Sequence, residues 1–249
     1  MNLILFEPEE LEPDMTITLK AGDIRAVHLK KILKAETGTS FEAGILNGMQ
    51  GKASITDISE KIISLRFSAE AEPVGLHPLT LLLGLSRPPT VKKVLKEATA
   101  LGIERFVLCG TENGERSYIQ SSALKDEKIR EVLIEGVQQA VCTQLPEVRV
   151  EHSLRCAIES LQPEADKAVL IALDNYQATI SLSEFWKIEN NKASRVTLAI
   201  GSERGWTDKE RQRLRDAGFT LCSLGARVLR TETASIAGAS VCLSGMGLI

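Results

Sequence analysis

Two short apolar runs near the C-terminus constrain the fold more than any other stretch of the chain. The first run covers 196–200 and ends at Gly201. A helical pattern follows at 208–217, and a second apolar run at 219–224 ends at Gly225. Short apolar runs predict buried strands, and alternation of strands with helices is typical of a parallel sheet. Because ligands of such sheets bind at the carboxyl ends of the strands, both glycine turns are predicted to line a binding crevice.

Earlier stretches continue the same alternation. Apolar runs at 79–85, 106–109 and 168–173 predict further buried strands, and apolar spacing at 126–141 predicts a long helix. These patterns indicate an α/β domain with a parallel sheet over residues 73–249.

The first 72 residues have a different pattern. Residues 52–58 and 61–67 alternate apolar with polar side chains, which predicts strands, and Asn47-Gly48 is a strong hairpin signal. Residues 23–34 have helical spacing. We therefore expect a separate, small and mostly β domain over residues 1–72.

Composition excludes several classes of protein. The chain is 43% hydrophobic and 25% charged, which is typical of a globular protein with a core. No run approaches the roughly 20 apolar residues that span a bilayer, and no basic segment precedes the first apolar residues. We expect a cytoplasmic protein without a signal peptide or a membrane partner. Five scattered cysteines and three histidines argue against a disulfide framework and a metal site.

The net charge of −3 bears on nucleic acid as a partner. Affinity for phosphates comes largely from Lys and Arg, so this charge argues against non-specific coating of nucleic acid. It still allows an enzyme with a local basic patch.

The two glycine turns lie within two longer motifs. These are Ile200-Gly201-Ser202-Glu203-Arg204-Gly205-Trp206-Thr207 and Leu224-Gly225-Ala226-Arg227-Val228-Leu229-Arg230-Thr231-Glu232-Thr233-Ala234. The chain has no Gly-x-Gly-x-x-Gly motif, no P-loop and no Gly-x-Ser-x-Gly elbow. The two motifs resemble the paired C-terminal motifs of the knotted SPOUT methyltransferases. The closest likeness is to the family that methylates N3 of a uridine in bacterial small-subunit ribosomal RNA.

The resemblance implies a trefoil knot in the C-terminal third that holds S-adenosylmethionine and needs no metal. The implied cofactor contacts are Leu173, Gly201, Glu203, Gly205, Leu224, Gly225, Val228, Leu229 and Arg230. It also implies a homodimer. The helical pattern at 234–248 has Ala234 and Gly238 on one face, so a second helix could approach it closely.

The chemistry of the implied reaction selects the catalytic candidates. The N3–H group of uracil is a weak acid, so its anion must be formed or stabilised. Arg230 is the candidate that holds the negative charge developing on a base carbonyl. Glu232 would orient Arg230 or accept the proton, for which burial would have to raise its pKa, and Glu203 is the alternative base. Alternatively, Arg230 and Glu232 form a purely structural ion pair.

The N-terminal domain contains a basic segment. Residues 28–34 resemble the opening segment of the PUA-like RNA-binding barrel of the same family. The resemblance implies RNA contacts at His28, Lys30, Lys31 and Lys34. The alternative is that the three lysines form a solvated helix face.

Several positions depart from the family pattern, and all bear on the substrate side. Ser202 and Arg204 stand where the family usually has proline and glycine. Thr143 or Gln144 stands where an arginine is expected, and Ala100 replaces an acid. Arg204 either supplies the missing positive charge or blocks the pocket.

The sequence thus predicts a homodimeric, S-adenosylmethionine-dependent enzyme that methylates a uridine N3 of 16S rRNA, either free or in the 30S subunit. Two alternatives stay open: the same fold and cofactor with another RNA target, and a non-catalytic RNA-binding or ribosome-assembly protein.

Overall fold

A computed structural model describes residues 2–165, 168–189 and 193–249 of the chain. The chain divides into two compact units. The first unit contains the chain up to Gly75 together with the segment Val137–Leu145, and the second contains Leu76–Gly136 and the chain from Pro146 onward. No helix of the described residues combines the length and the apolar character needed to cross a membrane.

The first unit is a five-stranded mixed sheet with one α-helix. Its elements are β1 (Ile4–Phe6), β2 (Thr16–Lys20), α1 (Ile24–Lys31), β3 (Ser40–Ile45), β4 (Gln50–Ile58) and β5 (Ile62–Ala71). The strand order is β1-β3-β4-β5-β2, in which β1 pairs with β3 in parallel and the other pairs are antiparallel. Apolar residues from all five strands and from α1 form one buried core. Apolar and polar side chains alternate along β4 and β5 because one face of each strand packs on this core.

The hairpin signal at Asn47-Gly48 is confirmed by the turn between β3 and β4. Asn47 adopts a φ of +55°, which asparagine tolerates better than most residues. Strand β1, which is only three residues long, and strand β2 are not among the predicted strands, although β2 alternates polar and apolar residues.

Helix α1 carries most of the basic segment but ends earlier than its apolar spacing suggests. Asp23 caps its first turn, and Lys34 lies beyond its end with a φ of +48°. Lys31 and Lys34 are exposed, His28 is half-buried, and the Lys30 ammonium donates to the carbonyl of Ser59 at 2.6 Å. The four residues thus lie near the C-terminal end of α1, where basic side chains also interact favourably with the helix dipole.

The segment Val137–Leu145 is held in the first unit by hydrogen bonds to the β3–β4 turn. Thr143 is fully buried, and its hydroxyl donates to the carbonyl of Gly48 at 2.6 Å. Its own carbonyl accepts from the amide of Asn47 at 2.8 Å, and Asn47 Oδ1 accepts from the amide of Leu145 at 2.9 Å. Thr143 is therefore a packing residue of the first unit.

Arg25 is the centre of an ion-pair network in the first unit. Its guanidinium contacts the carboxylates of Glu10 and Asp23, each at 2.6 Å, and donates to the carbonyl of Leu5 at 3.0 Å. The side chain is only 15% exposed and lies 5.3 Å from the ring centre of Phe6. Hydrogen bonds from Arg25 lower the pKa of both carboxyl groups. The network thus stabilises the unit when both carboxylates are charged.

We expect Arg25→Ala to destabilise the first unit at neutral pH by about 2 kcal/mol, because it leaves two partly buried carboxylates without their partner. Both folded pKa values lie below the unfolded values of about 4, so this stabilisation is present above pH 4 and is lost as the pH falls through the folded values. Hydrogen exchange in β2 and β5 measures the effect as a roughly 30-fold loss of protection at neutral pH that shrinks below pH 4. Arg66→Ala, an exposed arginine on β5, is the control with little expected effect. A pH-independent loss would contradict the network's role.

The second unit is a seven-stranded parallel sheet covered by helices. Its strands are β6 (His77–Gly84), β7 (Ile103–Cys109), β8 (Glu147–Glu151), β9 (Val169–Leu173), β10 (Ile180–Ser181), β11 (Val196–Ile200) and β12 (Thr220–Ser223). Its helices are α2 (Pro88–Ala100), α3 (Asp126–Gln139), α4 (Leu154–Ala165), α5 (Leu182–Glu189), α6 (Asp208–Asp216) and α7 (Thr231–Gly245), although the last residues of α3 belong to the first unit. The predicted parallel sheet is confirmed.

The strand order of the second sheet, β10-β12-β9-β11-β6-β7-β8, positions the functional site. The chain runs outward from β6 through β7 to β8, and later inserts β11 between β6 and β9. Every residue of β11 is buried, as expected for a central strand with both faces covered. The crevice predicted at the carboxyl ends of β9, β11 and β12 therefore lies beside the point where the strand order reverses.

Helix α7 uses its small residues differently from what its spacing suggests. A Cβ atom on Gly238 would lie 2.9 Å from Leu173 Cδ1 and 3.1 Å from Leu198 Cδ2. The close approach at this glycine is therefore to β9 and β11 of the same chain, so Gly238 is not available to a second helix. Helix α2 and helix α5 also pack against α7.

Candidate active site

A small cavity of about 140 Å³ opens at the carboxyl ends of β9, β11 and β12. It is lined by Leu173, Asp174, Asn175, Tyr176, Ile200, Gly201, Ser202, Glu203, Arg204, Gly205, Leu224, Val228, Leu229, Thr231 and Ala234. Both glycine-containing motifs thus meet at one site. Seven of the nine predicted cofactor contacts are in this lining, and only Gly225 and Arg230 are not.

A tight turn after β11 forms one wall of the cavity. The amide of Gly205 donates to the carbonyl of Ser202 at 2.9 Å, and Gly205 adopts a φ of +67° that favours glycine. A Cβ atom on Gly201 would lie 3.0 Å from the backbone of Gly205, so the turn folds back directly over this residue. Ser202 is buried, and its hydroxyl accepts from Thr111 Oγ1 at 3.2 Å. The backbone of the turn is therefore anchored at both of its ends.

The opposite wall is fixed by a buried ion pair. The Asp174 carboxylate accepts from Arg211 Nε at 2.8 Å and from the amides of Tyr176 at 2.9 Å and Gln177 at 2.5 Å. Both charged side chains are at least 93% buried, since they are only 7% and 2% exposed. Trp206 extends the same support, because its indole N–H donates to the carbonyl of Leu173 at 3.1 Å. These contacts hold the end of β9 and the loop after it.

The Glu203 carboxylate lies beside the first turn of α2 and places a negative charge there. Its carboxylate accepts from the amide of Arg87 at 2.9 Å and contacts the Arg87 side chain at 3.5 Å. Burial alone would raise the pKa of Glu203, but the hydrogen bonds from Arg87 and Ser86 outweigh it and hold the pKa below its usual value. A carboxylate with a lowered pKa is a weak base, so Glu203 is better suited to attract a positive group than to accept a proton.

A larger cleft of about 700 Å³ adjoins the small cavity and shares Glu203, Val228, Leu229 and Thr231 with it. Its remaining lining residues are Arg87, Pro89, Thr90, Arg230 and Glu232. Arg230 is exposed at the N-cap of α7, and its side chain caps nothing. Glu232 is 16% exposed and lies 3.8 Å from Lys93 Nζ. Within the described residues, Glu232 therefore pairs with Lys93, and the purely structural Arg230–Glu232 pair is absent.

Some residues of this site carried no usable sequence signal. Arg211 is one of many charged residues on α6, and nothing in its spacing shows that it is buried. Tyr176 is 79% exposed yet lies at the cavity rim, 5.2 Å from the Arg211 guanidinium. By contrast, Trp206 and Phe219 are large apolar side chains that lie in the core, and Thr207 and Glu210 form a capping box from residues three positions apart.

A parallel sheet with a glycine-lined crevice beside a charged cleft is typical of α/β proteins that bind a small molecule. The comparison with known proteins makes the class more specific. A model of the RNA methyltransferase domain family matches residues 73–243. The chain belongs to the RNA methyltransferase family.

Full-length relatives narrow the class further. Ribosomal RNA small subunit methyltransferase E of Treponema pallidum is 36% identical, with 98% of this chain and 91% of the relative covered. Ribosomal RNA small subunit methyltransferase E 1 of Borreliella burgdorferi is 28% identical, with 98% of each chain covered. A crystal structure of the Neisseria gonorrhoeae methyltransferase E bound to S-adenosyl methionine has a TM-score of 0.78 over 98% of this chain and 97% of that one, at 20% identity. The predicted family is thus confirmed, and that structure shares the fold.

Proposed function

We propose that the protein transfers a methyl group from S-adenosylmethionine to N3 of a uridine in 16S rRNA. The observation that carries the proposal is the meeting of both glycine-containing motifs around one cavity, next to a cleft that holds Arg230. The relatives named as small-subunit rRNA methyltransferases support the RNA substrate. The choice of uridine N3 rests on the resemblance of the motifs.

The residues of the small cavity fit S-adenosylmethionine. Adenine is flat and uncharged, which suits a wall of backbone and aliphatic groups at Leu173, Gly201 and Leu224. The cofactor also carries a sulfonium and an ammonium, and the ionised Glu203 carboxylate supplies an opposite charge. We propose that the seven predicted contacts in the cavity lining hold it, whereas Gly225 and Arg230 lie outside that lining and contribute little to its affinity. When bound, the cofactor supplies an electrophilic methyl group.

Arg230 is proposed to stabilise the negative charge that develops on the uracil ring. Arg230 lines the larger cleft, and within the described residues no hydrogen bond or ion pair engages its guanidinium. A cation that is already in place when the N3 proton leaves stabilises the anion without further rearrangement. We propose the larger cleft as the site of the target base.

The proton acceptor proposed is Glu232. It lines the same cleft as Arg230, whereas Glu203 is committed to the Arg87 amide and has a lowered pKa. Lys93, 3.8 Å from Glu232, keeps that carboxylate in position near the cleft.

Three further features are proposed from the resemblance. The first unit acts as a PUA-like RNA-binding domain with His28, Lys30, Lys31 and Lys34 toward RNA. The C-terminal part of the second unit forms the trefoil knot. The active form is a homodimer, and the exposure of Val228 (82%), which borders both cavities, supports a surface that a second copy covers.

The test is in vitro methylation of 30S subunits and of naked 16S rRNA from cells that lack the gene. We expect S-adenosylmethionine-dependent incorporation at one uridine, mapped as N3-methyluridine by mass spectrometry of nuclease fragments. Glu232→Gln and Lys93→Gln, compared at several pH values, would assign the proton acceptor.

Incorporation at another nucleotide or in another RNA would replace the specific target while keeping the enzyme class. No binding of S-adenosylmethionine at millimolar concentration in calorimetry would refute the enzymatic function and leave an RNA-binding or assembly role.

A further inference from the structure

Arg204 is a free positive charge on the wall of the small cavity. It occupies the third position of the Ser202–Gly205 turn, is exposed and lines the cavity. Within the described part of the chain, no hydrogen bond or ion pair engages its guanidinium. The other charged lining residues are Asp174 and Glu203, which are already bound by Arg211 and Arg87. Arg204 is thus the only lysine or arginine among the described lining residues.

We propose that Arg204 binds the carboxylate at the amino-acid end of S-adenosylmethionine. This inference rests on the proposed function, since it assumes that this cofactor occupies the small cavity. The amino-acid end carries an ammonium and a carboxylate on the same carbon atom. Glu203 and Arg204 are consecutive, carry opposite charges and line the same cavity, so together they are complementary to those two groups.

The backbone of the turn holds Glu203 and Arg204 in place. Ser202 is buried and bonded to Thr111 Oγ1, and Gly205 closes the turn onto Ser202. The Glu203 carboxylate is bonded to the amide and the side chain of Arg87, and within the described residues it forms no ion pair with Arg204, so the Arg204 guanidinium is open to a ligand. A side chain that starts from an anchored backbone loses less freedom on binding a ligand.

The position of Arg204 favours the cofactor over RNA as its ligand. Arg204 lines the small cavity and is not among the residues that line the larger cleft, which contains Arg230. Glycine is usual at this position in the resembling family, so the proposed contact is a departure of this chain from the family pattern, and Arg204 lines the cavity that it would serve. Arg204 neither blocks the cavity nor needs to substitute for an arginine elsewhere.

The test compares two ligands with two proteins by isothermal titration calorimetry. S-adenosylmethionine and decarboxylated S-adenosylmethionine differ only in the carboxylate. We expect Arg204→Gln to weaken binding of S-adenosylmethionine about tenfold and to change binding of the decarboxylated ligand by less than about twofold. Arg227→Gln, an exposed arginine that lines neither cavity, is the matched control and should leave both affinities unchanged.

Other outcomes separate this inference from the proposed function. Equal weakening of both ligands, or unchanged binding of both by Arg204→Gln, would overturn the carboxylate contact while leaving the cofactor site intact. Unchanged cofactor affinity with weaker, less salt-dependent binding of a 16S rRNA fragment would assign Arg204 to RNA instead. If the unaltered protein bound neither ligand, the proposed function itself would fall.

Discussion

Arg230→Ala should lower the single-turnover rate of methylation by about 10²- to 10³-fold and leave the affinity for S-adenosylmethionine within about threefold. The reason is that Arg230 lines the larger cleft and not the small cavity, so its proposed contact forms with the charge of the reacting base. The substitution should not disturb helix α7, because the Arg230 side chain does not cap it. Rapid-quench kinetics with 30S subunits measures the rate, and calorimetry measures the affinity.

Two further variants make this prediction specific. Arg230→Lys keeps the charge but loses the planar guanidinium, so it should recover part of the rate. Arg227→Ala removes a neighbouring exposed arginine and should retain nearly full activity. An unchanged methylation rate in Arg230→Ala would show that Arg230 takes no part in the reaction. A rate loss matched by an equal loss of cofactor affinity would show that Arg230 binds the cofactor instead.

We expect the second large effect from substitution of Asp174, which should lower the free energy of unfolding of the second unit. Asp174→Ala leaves the 93%-buried Arg211 guanidinium without its buried partner and removes the acceptor of the Tyr176 and Gln177 amides. Breaking such a pair costs about 3–5 kcal/mol in unfolding free energy. The cofactor site should also weaken, since these contacts hold one wall of the cavity.

Tryptophan and tyrosine fluorescence reports unfolding of the second unit only, because both tryptophans and both tyrosines lie in that unit. Asp208→Ala is the matched control: Asp208 contacts the same arginine at 2.8 Å but is 83% exposed, so its loss should cost less than about 1 kcal/mol. Asp174→Asn should have an intermediate effect, since its amide oxygen still accepts from the two backbone amides. Equal losses for Asp174→Ala and Asp208→Ala would show that the buried pair contributes no more than an exposed one.

Much of the second unit was predictable because its signals are local. The apolar run of β11, the capping box at Thr207 and the glycine turns each depend on a few consecutive residues. Parallel pairing brings the carboxyl ends of β9, β11 and β12 together, so the position of the cavity could be predicted from the order of strands and helices.

What was not predictable depends on contacts between residues far apart in sequence. Asp174 and Arg211 are separated by 37 positions, and Glu203 and Arg87 by 116. No periodicity shows which of many exposed-looking charges will be buried or paired. The contact of Gly238 with β9 and β11 was not predictable for the same reason, because small residues allow close packing without showing what packs there.

The position of Thr143 has a consequence for how the protein is made. The first unit includes the segment Val137–Leu145, which follows more than sixty residues of the second unit in the chain (76–136). We therefore expect that, during translation, the β3–β4 turn lacks these hydrogen-bond partners until the segment has left the ribosome. A fragment truncated at Gly75 would leave Asn47 and Gly48 without these partners, so a single cut in the chain does not separate the two units.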